Sequence, residues 1–436
     1  MRRLLVRRSL TGVGMYAAVA LGFLGTVVAT REFQPRVFGD YATVIFATSF
    51  VQSLFDLTVE EAVVKYGFRY ATREDWGRFR RLFASALRFK LAGSSLGSIG
   101  LVVFSQLAPS RLEVPSLLAA GIPIGQSLEG LAGSVLFLRS RYDLRSLLLA
   151  WSMALRLAGI AVGASFGLSE AIAGVLAAQV VSTASVSAVG RVAFLRFPRA
   201  EARPLGEDRR EIGSFILQST AATGVLALRG GLAPLLLGAV TSTTQVGLFR
   251  VAQSPQSGFQ AMSAPARMVL LTEQTRDWER GMQAAVLRGV RRYSLAGVGI
   301  SIVLVPPLFV FIPDLIRRIN GPEYLGAVSA ARLFILAAAV QLVVGWTKSL
   351  PVTIGRPGLR IVTHGLETIV VLPLVIVLGA RWGAAGAAGA VLAGMCVFAL
   401  AWAIVFARIR PEDVGPPAPL GEALAEAESE TGALVR

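Results

Sequence analysis

The sequence predicts an all-α integral membrane protein whose helices cross the bilayer twelve times, six in each half. Three observations carry this. Hydrophobic residues make up 54% of the 436 positions and charged residues only 16%, with mean hydropathy +0.62, too apolar for a soluble chain of this size. The apolar residues fall in blocks of about 20, the length needed for a helix to cross about 30 Å of hydrocarbon. The Lys and Arg residues also alternate in density from one connection to the next.

The expected spans are 9–30, 40–60, 91–108, 115–138, 146–167, 169–190, 212–238, 244–270, 293–313, 326–347, 359–380 and 383–406. The first follows Arg2, Arg3, Arg7 and Arg8. It is too long for a secretory signal, and no A-x-A-like cleavage site follows it, so it reads as a retained helix. Pro306 and Pro307 predict a kink in the ninth. In the twelfth, Gly383, Gly386 and Gly389 recur every three residues among alanines, a small-residue face on which helices pack closely. The Pro/Ala/Glu-rich stretch 411–436 reads as a disordered cytoplasmic tail.

With twelve spans, 33 of the 43 basic residues fall in one set of connections and termini, counting Arg267 and Arg360 in the end turns of the adjoining spans, six fall in the other and four lie deeper inside spans. By the positive-inside rule both termini are cytoplasmic. The net charge of +16 then needs no nucleic-acid partner. The lone Cys396 and the lone His364 exclude disulfides and predict no metal site. His364 is expected at the membrane interface. No cofactor motif is present, and no GxxxxGK[ST] loop that would power an ATPase.

The longest internal polar connection, Arg191 to Glu211, separates six spans from six. The expected division is 1–200, 201–410 and the tail. Equal, even halves share one orientation, so a duplication would have its axis along the membrane normal. At an offset of 208, Phe38–Gln52 overlies Val246–Gln260: Gly39 meets Gly247, Tyr41 meets Phe249, Ser49 meets Ser257 and Gln52 meets Gln260. Both segments open the second span of their half.

Helical spacing then sorts the polar residues within the spans. In the second, Ser49, Ser53, Asp56 and Glu60 share a face with Gln52 alongside. In the eighth, Arg250, Gln253, Ser257 and Gln260 do. In the seventh, Gln218 and Arg229 lie three turns apart, and Arg229 sits beside Gly230, Gly231 and Pro234, which loosen the helix. The fourth carries Gln126 and Glu129, and the fifth Arg156.

A charge at mid-bilayer costs about 2.5–3.5 kcal/mol on insertion scales, so it faces a wet cavity or a partner. One reading places Arg229, Arg250 and Arg156 around a vestibule suited to phosphate, which guanidinium binds bidentately. The other pairs each with a carboxylate such as Glu129 or Asp56. Asp56 and Glu129 are candidate proton- or sodium-responsive coupling groups, Glu60 and Glu61 are expected at the cytoplasmic interface, and Arg332 reads as a snorkelling anchor.

Three stretches carry a family resemblance. LIRRINGPEYLGAVSAARLFILAAAV (Leu315–Val340) resembles the outer turn between the ninth and tenth helices of bacterial polysaccharide-export flippases. RVFGDYATVIFATSFVQSLFDLTVEEAVVKYG (Arg36–Gly67) is similar to their first outer loop and second helix, although Thr58 stands where glycine is frequent. GARWGAAGAAGAVLAG is similar to the start of their last helix.

The resemblance implies the multidrug/oligosaccharidyl-lipid/polysaccharide exporter superfamily and its MATE-like flippase fold, two six-helix bundles around a central cavity that opens alternately to each side. It also implies a substrate, an oligosaccharide repeat unit on polyprenyl diphosphate, flipped across the bacterial cytoplasmic membrane. Cavity arginines would hold the diphosphate. Gln218, Gln253, Gln260 and Gln52 would meet the sugars, and the tail would stay among membrane lipids. Partners would be a polysaccharide polymerase and glycosyltransferases of the same pathway.

A drug/cation antiporter of the same fold would want an acidic vestibule, and here the second half's candidates are basic. A membrane-embedded polymerase or glycosyltransferase would want catalytic residues on sizeable outer loops. The expected outer loops are short and carry no carboxylate pair, so the reading is not an enzyme. A scaffold that transports nothing would have no need of buried arginines.

Overall fold

The computed structural model describes residues 2–55, 59–259, 274, 277–278, 282–348, 350–354 and 358–408. Among them, seven helices are long and apolar enough to cross a membrane, or eight if α2 (Pro35–Phe55) and α3 (Val59–Thr72) form one bent span. The fold is that of a multi-pass, all-helical membrane protein.

In the first half, α1 (Arg2–Glu32) packs along α7 (Tyr142–Ala164), and α7 lies against α8 (Leu168–Leu195). The chain closes back through α6 (Ile122–Leu138), α4 (Trp76–Leu107) and α3, with α5 (Ser110–Ala119) against α4 and α8. In the second half, α9 (Asp208–Ala227) passes through a π-helical turn (Leu228–Leu232) into α10 (Ala233–Val240). Next come α11 (Thr243–Ala252), α12 (Gln283–Ile319), α13 (Val328–Val343), the short α14 (Leu350–Thr353) and α15 (Gly358–Arg408). α13 packs on α12, α11 and α15, and α15 on α10 and α9.

Several expected spans are interrupted for local chemical reasons. Segment 115–138 is divided between α5 and α6, with Pro115 inside one and Pro123 in the first turn of the other; proline is tolerated at a helix start but breaks a ladder it sits within. In the seventh, the π turn falls on Leu228–Leu232, immediately before Pro234. The eighth breaks at Gln253, is helical again over 254–259, and thereafter leaves the described residues.

The last two expected spans are one 51-residue element folded at Gly383. That residue has φ +58°, the left-handed region in which glycine alone is unstrained. The Ala384 N–H beyond the turn donates to Gln245 Oε1 at 2.8 Å.

α12 holds Pro306, Pro307 and Pro313. Pro313 has no N–H to give the Phe309 carbonyl four residues earlier. Arg332 Nε donates to that carbonyl at 3.3 Å, its guanidinium over the Phe309 ring. Arg332 therefore supplies the donor that this broken helix ladder lacks.

The halves meet where α2 lies against α11, and the residues at the crossing are those the internal repeat equates. A Cβ on Gly39 would fall 1.8 Å from the Thr243 carbonyl oxygen, and one on Gly247 would fall 2.9 Å from the Pro35 carbonyl oxygen and 3.0 Å from Gly39 Cα. Each glycine meets the backbone four residues before the other, the reciprocal pattern of a two-fold contact. Inside a bilayer apolar burial does not drive association, so close backbone packing of this kind supplies the attraction.

Around the crossing lies the largest core, which includes Phe38, Tyr324, Phe249 and Phe334. A second core of Phe79, Phe83, Leu82 and Tyr66 gathers at the opposite end of the first half. A side chain at position 39 is expected to force α2 off α11. Gly39→Val should cost about 1–3 kcal/mol as overpacking and lower the thermal midpoint of the purified protein, whereas Gly299→Ala, at a glycine with open space around it, should leave the midpoint unchanged.

Candidate functional site

A cavity of about 1120 Å³ lies between the two halves, walled by α1, α2, α7, the π turn, residues 250–258 and the last turns of α12. The spacing that grouped Ser49 with Ser53, and Arg250 with Gln253 and Ser257, places all five on this wall. Arg156 faces them from α7, and Gln256, which the sequence gave no reason to single out, joins them.

Tyr41 brings the cationic groups together. It is buried at 7% exposure, accepts a hydrogen bond from Arg156 and lies in the field of Arg250. Arg250 rests over the Phe46 ring at 5.3 Å and is close enough to Arg156 for the two to repel. Among the described residues neither arginine has a carboxylate partner. Two guanidiniums thus face one mainly apolar chamber near the same phenol, and guanidinium is a group that can bind an anion through several acceptor oxygens.

The remaining expected residues lie elsewhere. Arg229 is ion-paired with Glu367 of α15, whose side chain is 1% exposed, and it is off the cavity lining although Gly230 and Gly231 are on it. The reason is electrostatic, since a buried carboxylate requires a counter-charge. Glu367 also faces His364 Nδ1 at 3.2 Å. His364, expected at the interface, is partly buried and stacks on Phe398 at 4.8 Å. A lone carboxylate in the span 359–380 was the signal for this cluster.

Glu129 is buried in the first half, accepting hydrogen bonds from Gln179 Nε2 and Ser182 Oγ, each at 3.0 Å, and it does not line the cavity. Gln218 is exposed and donates to Ser214 Oγ. Gln52 is half-buried beside the lining residue Ser53 without joining the lining. Asp56 and Gln260 lie outside the described residues. Glu60, expected at the interface, is ion-paired at 2.9 Å with Lys90, which is buried within α4.

Both ends of the site are tied across the halves. At one end, Arg31 of α1 donates to the Ile319 carbonyl at 2.7 Å and to that of Arg318, Asn320 Nδ2 donates to Thr30 Oγ1 at 2.9 Å, and the Tyr324 hydroxyl donates to the Phe33 carbonyl at 2.7 Å. Gly321, at φ +120°, makes the turn that delivers Tyr324, and Phe38 meets the Tyr324 ring edge-on at 5.8 Å. Arg111 holds Asp40 at 3.0 Å.

At the other end, Arg69 of α3 grips Glu211 of α9 with two bonds, at 2.9 and 3.0 Å. The Tyr70 hydroxyl donates to Asp208 at 2.8 Å.

The chain shares its fold with solved transporters. An inward-facing conformation of a multidrug resistance MATE family transporter of the MOP superfamily superposes with a TM-score of 0.71 at 12% identity, over 91% of this chain and 95% of that one. The lipid II flippase MurJ in an inward closed conformation gives 0.69 at 13% identity, over 93% and 89%. A MOP superfamily transporter from Pyrococcus furiosus, described as having a binding pocket of reverse polarity that suggests a different function, gives 0.60 at 13%, over 94% and 95%. No protein-family model and no curated protein matches the sequence.

The Arg69–Glu211 tie carries its own pH signature. Arg69 holds the Glu211 carboxyl below its usual range, so the contribution is complete above the unfolded carboxyl value of about 4.3 and is lost as pH falls through the lower folded value. The distance between spin labels at positions 73 and 207 is expected to stay constant from neutral pH down to about pH 5 and to lengthen below about pH 4. In Glu211→Gln the longer distance should already be present at neutral pH.

Proposed function

We propose that the chain is a flippase that moves a polyprenyl-diphosphate-linked oligosaccharide across the bacterial cytoplasmic membrane by alternating access, for cell-surface polysaccharide synthesis. The observation that carries this reading is the pair Arg156 and Arg250, both on the wall of one large chamber, Arg156 bonded to Tyr41 and Arg250 in the field of both, and neither matched by a carboxylate among the described residues. A guanidinium left without a counter-ion inside a membrane domain is stable where water or an incoming anion reaches it.

On this reading twelve spans form two six-helix bundles, the basic connections and both termini are cytoplasmic, and the tail of the substrate stays in lipid. The diphosphate meets Arg156 and Arg250, while Gln253, Gln256, Ser257, Ser49 and Ser53 offer donors and acceptors to sugar hydroxyls. Release to the outside requires the Arg31, Asn320 and Tyr324 ties to open. The likeness to the lipid II flippase MurJ supports a lipid-linked substrate. The likeness to a transporter described by its reversed pocket polarity, together with the cationic wall here, weighs against a cation antiporter. Glycosyltransferases and a polymerase acting on the same lipid would be its working partners.

Charge-assisted hydrogen bonds contribute about 1.5–3 kcal/mol each. Arg156→Ala and Arg250→Ala should therefore each weaken binding of farnesyl diphosphate to the purified protein roughly tenfold to hundredfold and slow flipping of a fluorescent polyprenyl-diphosphate sugar in proteoliposomes. Undiminished flipping in the Arg156→Ala/Arg250→Ala double variant would overturn the reading.

A further inference from the structure

The Arg229–Glu367–His364 cluster stands one residue behind the cavity wall and takes no part in the site just described. Resting on the flippase reading, we propose that Glu367 and the anionic headgroup compete for Arg229, so that binding the headgroup is linked to uptake of a proton by the Glu367–His364 pair.

The geometry gives each group a distinct role. Glu367 is sealed in, with a side chain 1% exposed, whereas that of Arg229 is 23% exposed. Gly230 and Gly231 follow Arg229 directly and form the cavity wall, and a Cβ on Gly230 would meet nothing within 4 Å. The guanidinium thus has a buried carboxylate on one side and open space beside the adjoining residue. Its backbone is the π turn Leu228–Leu232, a widened turn whose hydrogen bonds leave it easier to reshape than α-helix. Thr368 Oγ1 reaches the Val225 carbonyl at 3.4 Å, so α9 and α15 stay joined when Arg229 turns.

When phosphate oxygens take the Arg229 N–H donors, Glu367 is left as a buried carboxylate without a cation, the state in which a proton is most strongly favoured. His364 Nδ1, at 3.2 Å from Glu367 Oε2, is placed to pass that proton inward from water. One O–H bond forms on Glu367 as one N–H bond on His364 breaks, and water then restores the imidazole proton. Departure of the anion reverses the transfer, and no covalent bond to the substrate is involved.

The other charged groups on elements packed against α15 are engaged elsewhere or exposed, Arg209 and Arg210 of α9 being exposed. Arg332 serves the Phe309 carbonyl, Arg250 lies over Phe46, and Asp208 and Glu211 are bonded to α3 and α4. Lys348 is exposed, and Arg360 lies in the field of Glu61. α10 carries no ionisable side chain. Arg229 and His364 are therefore the charged partners that Glu367 faces among the described residues.

The test uses the full-length protein in detergent, with farnesyl diphosphate as the probe. Its affinity is measured from pH 8 to pH 6, and proton uptake on ligand addition is followed in weak buffer. Glu367→Gln keeps the size of the side chain and removes the competing charge. It should bind the probe about tenfold more tightly than wild type at pH 8, within the usual range of coupling between sites, and converge with wild type as pH falls. Its remaining pH dependence is that of the diphosphate itself, so the difference between the two proteins isolates Glu367.

Wild type should take up more protons on binding than Glu367→Gln does. The Arg229→Gln/Glu367→Gln variant strands no buried charge, and it should take up no more protons than the single variant while losing the tighter binding. Equal affinity of wild type and Glu367→Gln at every pH, or equal proton uptake, would overturn the proposal and leave the pair as a fixed tie between α9 and α15. If Glu367→Gln does not fold, the double variant decides by the same comparison of uptake. Absence of probe binding by wild type at any pH would remove the flippase reading itself, and binding that depends on Arg156 and Arg250 but not on Glu367 would remove only this inference.

Discussion

A guanidinium inside hydrocarbon has to be met by a carboxylate, a carbonyl or water, and the placement of arginine in this molecule follows from that requirement. The first two solutions are on view among the described residues. Arg229 takes a carboxylate, Glu367. Arg332 takes a carbonyl that Pro313 has left without a donor. Among the described residues Arg156 and Arg250 take neither, and both line a chamber of about 1120 Å³.

The family-like sequence stretches acquire physical roles at the same time. FGDY contributes Phe38 to the seal with Tyr324, Gly39 to the helix crossing, Asp40 to Arg111 and Tyr41 to the cationic site, one function per residue on successive sides of a single turn. NGPEY supplies Asn320 for Thr30, a glycine that turns at positive φ, and Tyr324 for the Phe33 carbonyl. Each stretch places backbone-constrained glycine beside a side chain that reaches across to the other half.

The sequence spoke clearly where a helix was regular and weakly where it was not. The stripes Ser49, Ser53 and Arg250, Gln253, Ser257 are set by helical spacing, and the structure brings them to one wall. Gly39 and Gly247, aligned by the repeat, turned out to touch. Arg229 was harder, because spacing from Gln218 presumes an unbroken helix. The π turn at Leu228–Leu232 adds a residue to one turn and changes the direction in which Arg229 points. Glu129 illustrates a different limit: periodicity shows that a polar residue has a face, but not whether that face meets a cavity or, as with Gln179 and Ser182, a neighbouring helix. Glu367 and His364, three apart in an apolar run, were a legible pair whose meaning depended on Arg229.

The reciprocal Gly39–Gly247 crossing also has a mechanical side. Two backbones touching at residues without side chains make a narrow bearing, and the side chains that interlock lie around that point of contact and not at it. About such a pivot, a rotation of one half by roughly 10° would carry a point about 25 Å away, near the far face of a bilayer about 30 Å thick, through about 4 Å. That displacement exceeds the reach of a hydrogen bond. A modest tilt is therefore enough to part the distant ties while the bearing itself stays in contact.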